Sequence, residues 1–124
     1  MVTKTEMEAL PKIVAVDFDG CLVKDRFPEI GDPNRDLVKT LRTLKDKGIK
    51  LILWTSRNGT MLDDAVEFCK NELHMEFDSV NQNLPECIAM FGGDTRKVYA
   101  DLYIDDKAIP HTQHPLYWLD RIGL

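Results

Sequence analysis

Cysteine is scarce in this chain and scattered. Cys21, Cys69 and Cys87 are odd in number, and no two are spaced as a Cys-x-x-Cys pair. No sulfur and imidazole cluster suited to zinc can be built from them. They read as free, mostly buried thiols of a chain kept in a reducing cytoplasm. Cys21 alone stands apart, because it directly follows an acidic turn. No stretch approaches the roughly 20 apolar residues of a membrane span, and Met1 to Leu10 has no apolar core of the kind a signal peptide carries. Basic charge is also short: 16 Lys and Arg against 21 Asp and Glu leave a net charge of −5 and no footprint for nucleic acid. What remains, 44% hydrophobic and 30% charged residues over 124 positions, is the composition of one globular domain spanning 1–124.

Strand and helix signals alternate from end to end. Lys12 to Asp17 reads as a strand. Asp32 and Pro33 read as a helix start, carboxylate at the cap and proline at the first helical position, followed by the stripe Leu37, Val38, Leu41 and Leu44 and a stop at Gly48. Ile49 to Trp54 is a near-continuous apolar run, the pattern of a strand covered on both faces. Thr60 with Asp63 resembles a capping box opening a helix striped by Leu62, Ala65, Val66, Cys69 and Leu73. Phe77 to Val80 is expected to be a strand, Leu84 to Phe91 a short helix, Leu102 to Ile104 a strand, and Pro110 to Ile122 a closing loop and helix. Repeated strand–helix–strand units imply a three-layer α/β fold, a Rossmann-like parallel sheet with helices on both faces.

In such sheets ligands bind beyond the carboxyl ends of the strands. The first strand ends in Asp17-Phe18-Asp19-Gly20, whose two carboxylates fall on one side if strand geometry continues through Phe18. They repel unless a cation or a shared proton relieves them. The second strand ends in Thr55, Ser56 and Arg57, and a later one in Asp105 and Asp106. Four carboxylates, two hydroxyls and a guanidinium at three strand ends suit Mg²⁺ rather than a soft metal.

With Asp-x-Asp-Gly, Leu53-Trp54-Thr55 and Ile104-Asp105-Asp106 in that order, the chain resembles a haloacid dehalogenase superfamily phosphatase from Ile13 to Ala108. The resemblance implies that Asp17 is a nucleophile that becomes an aspartyl phosphate, and that Asp19 is the general acid and base. It implies Mg²⁺ held by Asp17, the carbonyl of Asp19 and Asp105, with Asp106 holding a metal-bound water or orienting a neighbour. Thr55, Ser56 and Arg57 would take phosphoryl oxygens. Lys97 is expected to balance the charge, although it lies only eight residues before Asp105, with Arg96, Arg57 and Lys24 as alternatives. Relatives with lids carry an inserted cap domain; here Cys21 to Gly31 suits only a short flap, and Phe77 to Asp94 is too short for a folded cap. The expected protein is therefore an uncapped, Mg²⁺-dependent phosphomonoesterase with an open site. It would take a sugar phosphate, a nucleotide or another small ester, with a second subunit covering the site, or else a phosphorylated macromolecule.

Other readings compete. A signalling receiver domain has similar length and residues, but its phosphorylated Asp ends a middle strand, where this chain has Thr55. A catalytically silent binding protein is the alternative, and the intact Asp19 argues against it. Asp63 and Asp64 read as helix N-terminal charges. His111 and His114 lack a third ligand and read as surface or packing residues, and Trp54, Tyr117 and Trp118 as core or edge aromatics.

Overall fold

The computed structural model describes residues 2–112 and 115–123; the side chains of Pro115, Tyr117 and Trp118 are outside the description, as is His114. Four parallel strands form the central sheet: β1 (Ile13–Val16), β4 (Lys50–Leu53), β5 (Ser79–Val80) and β6 (Leu102–Ile104), in the order β5-β4-β1-β6. The order reverses at β1, which has β4 on one side and β6 on the other. All four residues of β1 are buried, as its apolar run requires.

Alternation along the strands divides the core into two layers. On one face Val14, Val16, Leu51 and Leu53 pack with Val38 and Leu41 of α2 (Arg35–Asp46) and with Ala65 and Cys69 of α3 (Gly59–Asn71). On the other, Ile13, Ala15 and Ile52 pack with Leu84, with Cys87 of α4 (Pro85–Phe91), and with Val98. The result is the expected three-layer α/β arrangement. A short N-terminal helix, α1 (Lys4–Glu8), buries no residue and is closed by a reciprocal capping box between Thr3 and Glu6. The last helix, α5, spans Pro115–Arg121. Among the described residues no helix is long and apolar enough to cross a membrane.

Several local expectations are refined or corrected. The expected flap is a two-stranded antiparallel hairpin, β2 (Val23–Arg26) and β3 (Glu29–Pro33). Pro33 belongs to it, paired with Val23, so Asp32 and Pro33 do not open α2. Asn34 does, its Oδ1 accepting from the Leu37 amide at 3.1 Å while its own amide donates to Leu22. The Thr60 and Asp63 box does not form, because α3 already starts at Gly59 behind Asn58. The expected strand Phe77 to Val80 contracts to Ser79–Val80.

Leu41 sits fully buried between α2 and the sheet. Leu41→Ala should lower unfolding free energy by about 2–5 kcal/mol in urea titration, the usual cost of a large-to-small core change. A loss below about 1 kcal/mol would show that the layer is not packed as described.

Candidate active site

The reversal of strand order at β1 leaves a crevice above the carboxyl ends of β1, β4 and β6, where open α/β sheets place ligands. It holds a cavity of about 490 Å³, lined among others by Asp17, Asp19, Thr55, Ser56, Arg57 and Asp105. Six of the eight residues expected from the sequence thus share one wall system. The ladder continues past β1: the Asp17 amide donates to Ile104 O at 2.9 Å, and the Trp54 amide to Val16 O at 2.9 Å. These bonds fix Asp17 between the ends of its two neighbouring strands.

Beyond Asp17 the chain folds back within five residues. Phe18, fully buried, anchors the turn; its carbonyl accepts from the amides of Cys21 and Val23, and Gly20 N–H donates to Val23 O at 2.8 Å. Gly20 has a φ of +91°, and a Cβ there would overlap the Asp106 carboxylate. Glycine is therefore required twice, for the backbone conformation and for the approach of Asp106.

Asp17 carries the strongest electrostatic signature. Burial first, then the charge of Asp105 and the adjoining Asp106 carboxyl, push it up to about 7; the Phe18 amide, donating to Asp17 Oδ1 at 2.8 Å, only partly opposes this. Asp17, Cys21 and Asp106 present ligand atoms all within 4.8 Å of one another. Burial and the same three carboxylates push the Cys21 thiol up to about 11, so in the metal-free chain Asp17 and Asp106 are the oxygen donors of the cluster beside a protonated thiol. That set suits a hard divalent cation. Asp106 rather than Asp105 meets Asp17 in this cluster; Asp105 lines the cavity and its Oδ1 accepts from the Lys107 amide at 2.8 Å.

Thr55 is held by its neighbours. Its amide donates to Asn81 Oδ1 at 2.8 Å, and its hydroxyl oxygen accepts from the Arg57 amide at 3.2 Å, leaving the hydroxyl proton free to donate. Asn81, with a φ of +54°, was not singled out from the sequence, though asparagine is a residue that tolerates that conformation. Ser56 is exposed at the cavity.

Two basic residues differ from expectation. Arg57 is 3% exposed, and its guanidinium holds Asp19 bidentately, Nε to Oδ2 at 2.7 Å and Nη2 to Oδ1 at 2.8 Å, instead of standing free for phosphate. Asp19 raises the Arg57 pKa further. Lys97 does not join the site: it is exposed, its Nζ lies 5.4 Å from the centroid of the Tyr103 ring, and it lines a different depression with Asn83 and Tyr99. The reason is its position before β6: Asp101 N–H already bonds Ile13 O at the start of β1, the opposite end from the crevice. Lys107, just after β6, lines the cavity with Nζ 3.4 Å from Asp106 Oδ2, and that carboxylate raises its pKa. Its place immediately after Asp105-Asp106 was the available signal. Asp25 and Phe27 of the hairpin and Trp54 complete the wall, so Trp54 faces the site rather than serving only as a core aromatic. His111 is exposed.

Because folding raises the Asp17 pKa from 3.8 to about 7, the folded chain binds a proton that the unfolded chain releases across that interval. In metal-free buffer the stabilising effect is complete below pH 4 and lost as pH rises through 7. Thermal unfolding in EDTA should therefore show a fall in Tm between pH 5 and pH 8 that Asp17→Asn flattens. An equally steep fall in the variant would remove Asp17 as its source.

No family model matches the chain, and no curated protein is significantly similar to it. Among solved structures it is similar to a conserved protein coded by a locus of Bacteroides thetaiotaomicron, with a TM-score of 0.71 and 35% identity covering 93% of each chain. At that identity over nearly the whole of both chains, the protein belongs to the same family as this conserved Bacteroides thetaiotaomicron protein.

Proposed function

We propose that the protein is a Mg²⁺-dependent phosphomonoester hydrolase of haloacid dehalogenase type, acting on a small phosphate ester in an uncapped cleft. The observation that carries this reading is the convergence of Asp17, Asp19, Thr55 and Asp105, from three separate strand ends, on one cavity of ligand size. Asp17 attacks phosphorus through a carboxylate oxygen. As that O–P bond forms, the bond to the leaving oxygen breaks, and the leaving oxygen takes its electron pair and a proton from the protonated form of Asp19, which becomes the carboxylate that Arg57 holds. Water, losing a proton to Asp19, then attacks phosphorus; the aspartyl O–P bond breaks, restoring Asp17 and releasing inorganic phosphate.

Asp17, Asp105 and Asp106 would hold Mg²⁺, which when bound screens the carboxylate nucleophile from an anionic substrate. In this reading the Thr55 hydroxyl and the Ser56 backbone N–H bind phosphoryl oxygens, and Lys107 takes the charge-balancing role expected of Lys97. The leaving group lies toward Phe27 and Trp54, two flat apolar surfaces in a wall of otherwise polar and charged residues.

Hydrolysis of p-nitrophenyl phosphate should require Mg²⁺, cease in EDTA, and cease in Asp17→Asn while circular dichroism of that variant stays native. Activity surviving in Asp17→Asn would overturn the nucleophile assignment. Between the two lysines, Lys107→Ala should lower kcat/KM by about 10-fold or more, as loss of a charged contact to the transferring group does, and Lys97→Ala by less than about 2-fold. The reverse order would return the role to Lys97.

A further inference from the structure

Arg57 makes more contacts than a phosphate-binding arginine has donors to spare. Two of its N–H groups take both oxygens of Asp19. Nη2 also donates to Glu29 O at 2.9 Å, and Nη1 to Pro28 O at 3.2 Å, both carbonyls of the hairpin at or beside its turn. The guanidinium also lies over two rings, with Cζ 5.1 Å from the centroid of Phe18 and 5.1 Å from that of Phe27 on the hairpin. Phe18 is fully buried, whereas Phe27 is 54% exposed and lines the cavity. One side chain therefore touches the core, the carboxylate beside the nucleophile, and both the backbone and the ring of the hairpin wall. Only a planar fork makes these contacts together; a lysine offers a single point charge.

We propose that Arg57 is a positioning residue that locks Asp19 to the β2–β3 hairpin, so that the acid/base carboxylate and the leaving-group wall of the cleft are set in place as one unit. The consequence for turnover rests on the phosphatase reading above; the mechanical coupling does not. A hairpin displaced from the cleft pulls Pro28 and Glu29 away from the guanidinium and leaves Asp19 without its fixed orientation. A misoriented Asp19 in turn loosens Arg57, and with it the hairpin, whose strand β2 is exposed at three of its four positions.

The test compares wild type, Arg57→Gln, Arg57→Lys, Asp19→Asn and the Arg57→Gln/Asp19→Asn double variant, each as the full chain with Mg²⁺. Two esters are hydrolysed by the same sample: p-nitrophenyl phosphate, whose phenolate leaves readily, and phenyl phosphate, whose leaving oxygen needs a proton. The ratio of their kcat/KM values cancels any difference in folded fraction. Loss of general-acid placement should depress phenyl phosphate about 10-fold or more beyond p-nitrophenyl phosphate in Arg57→Gln and in Asp19→Asn. Arg57→Lys should move the ratio in the same direction, and the double variant should be no worse than the poorer single one by more than about 2-fold, since the two residues act as a unit. An unchanged ratio in Arg57→Gln, or effects that multiply, would overturn the proposal. Hydrogen exchange of the amides of residues 23–33 supplies an arm independent of activity. Exchange should accelerate in Asp19→Asn as in Arg57→Gln, with no further increase in the double variant; hairpin protection indifferent to Asp19→Asn would overturn the coupling. A wild type inactive on both esters would count against the phosphatase reading alone, and the exchange result would then decide this one.

Discussion

Mutual repulsion among carboxylates at the end of β1 is the constraint on which the rest of the site depends. Asp17 is desolvated and faces both Asp105 and Asp106, which is why its proton is held to about pH 7. Such a cluster stands only if the surrounding chain compels it. Here the compulsion is topological: β1 is central, its ladder runs on through Asp17 to Ile104 O, and β6 ends beside it. Gly20 removes the one Cβ that would keep Asp106 away. Lys107 reaches Asp106 from the cavity side, and Arg57 takes Asp19 out of the competition by holding both its oxygens. Asp17 itself is relieved by the proton it retains and in part by the charge of Lys107.

The fold covers the sheet on both faces and builds the outer wall of the site from a hairpin that is largely exposed. Both faces of the sheet are covered, and β1 and β4 are buried along nearly their whole length. The hairpin that forms the outer wall is exposed over most of its residues; Val23 and Ile30 tie it to the core, Asp25 and Phe27 line the cavity, and Arg57 bonds its turn. In the phosphatase reading, this division places the nucleophile, Thr55 and Trp54 at the ends of buried strands and the other leaving-group contact, Phe27, on the exposed hairpin.

The layered sheet was readable from sequence because its strands are short uninterrupted apolar runs: Val14 to Val16 and Leu51 to Leu53 are buried on both faces, and that pattern has few other uses. The hairpin was not, because Val23-Lys24-Asp25-Arg26 buries only its first residue and shows no alternation. Its pairing consumes Pro33, which shifted the start of α2 to Asn34. At the site, the carboxylates and Thr55 were legible because their positions follow strand ends. The cations were not, because a long basic side chain is placed by what surrounds it. Arg57 sits at the expected strand end but turns to Asp19, while Lys97 lies on Tyr103 at a distance and Lys107, unconsidered, occupies the cavity.

In the phosphatase reading, Asp17 becomes covalently phosphorylated during turnover. The most direct test is mass spectrometry of acid-quenched protein after mixing with p-nitrophenyl phosphate and Mg²⁺, using the Asp19→Asn variant to slow the second step. The account predicts one phosphoryl group on the peptide that carries Asp17. Turnover of the ester with no phosphorylated Asp17 at any quench time would contradict it.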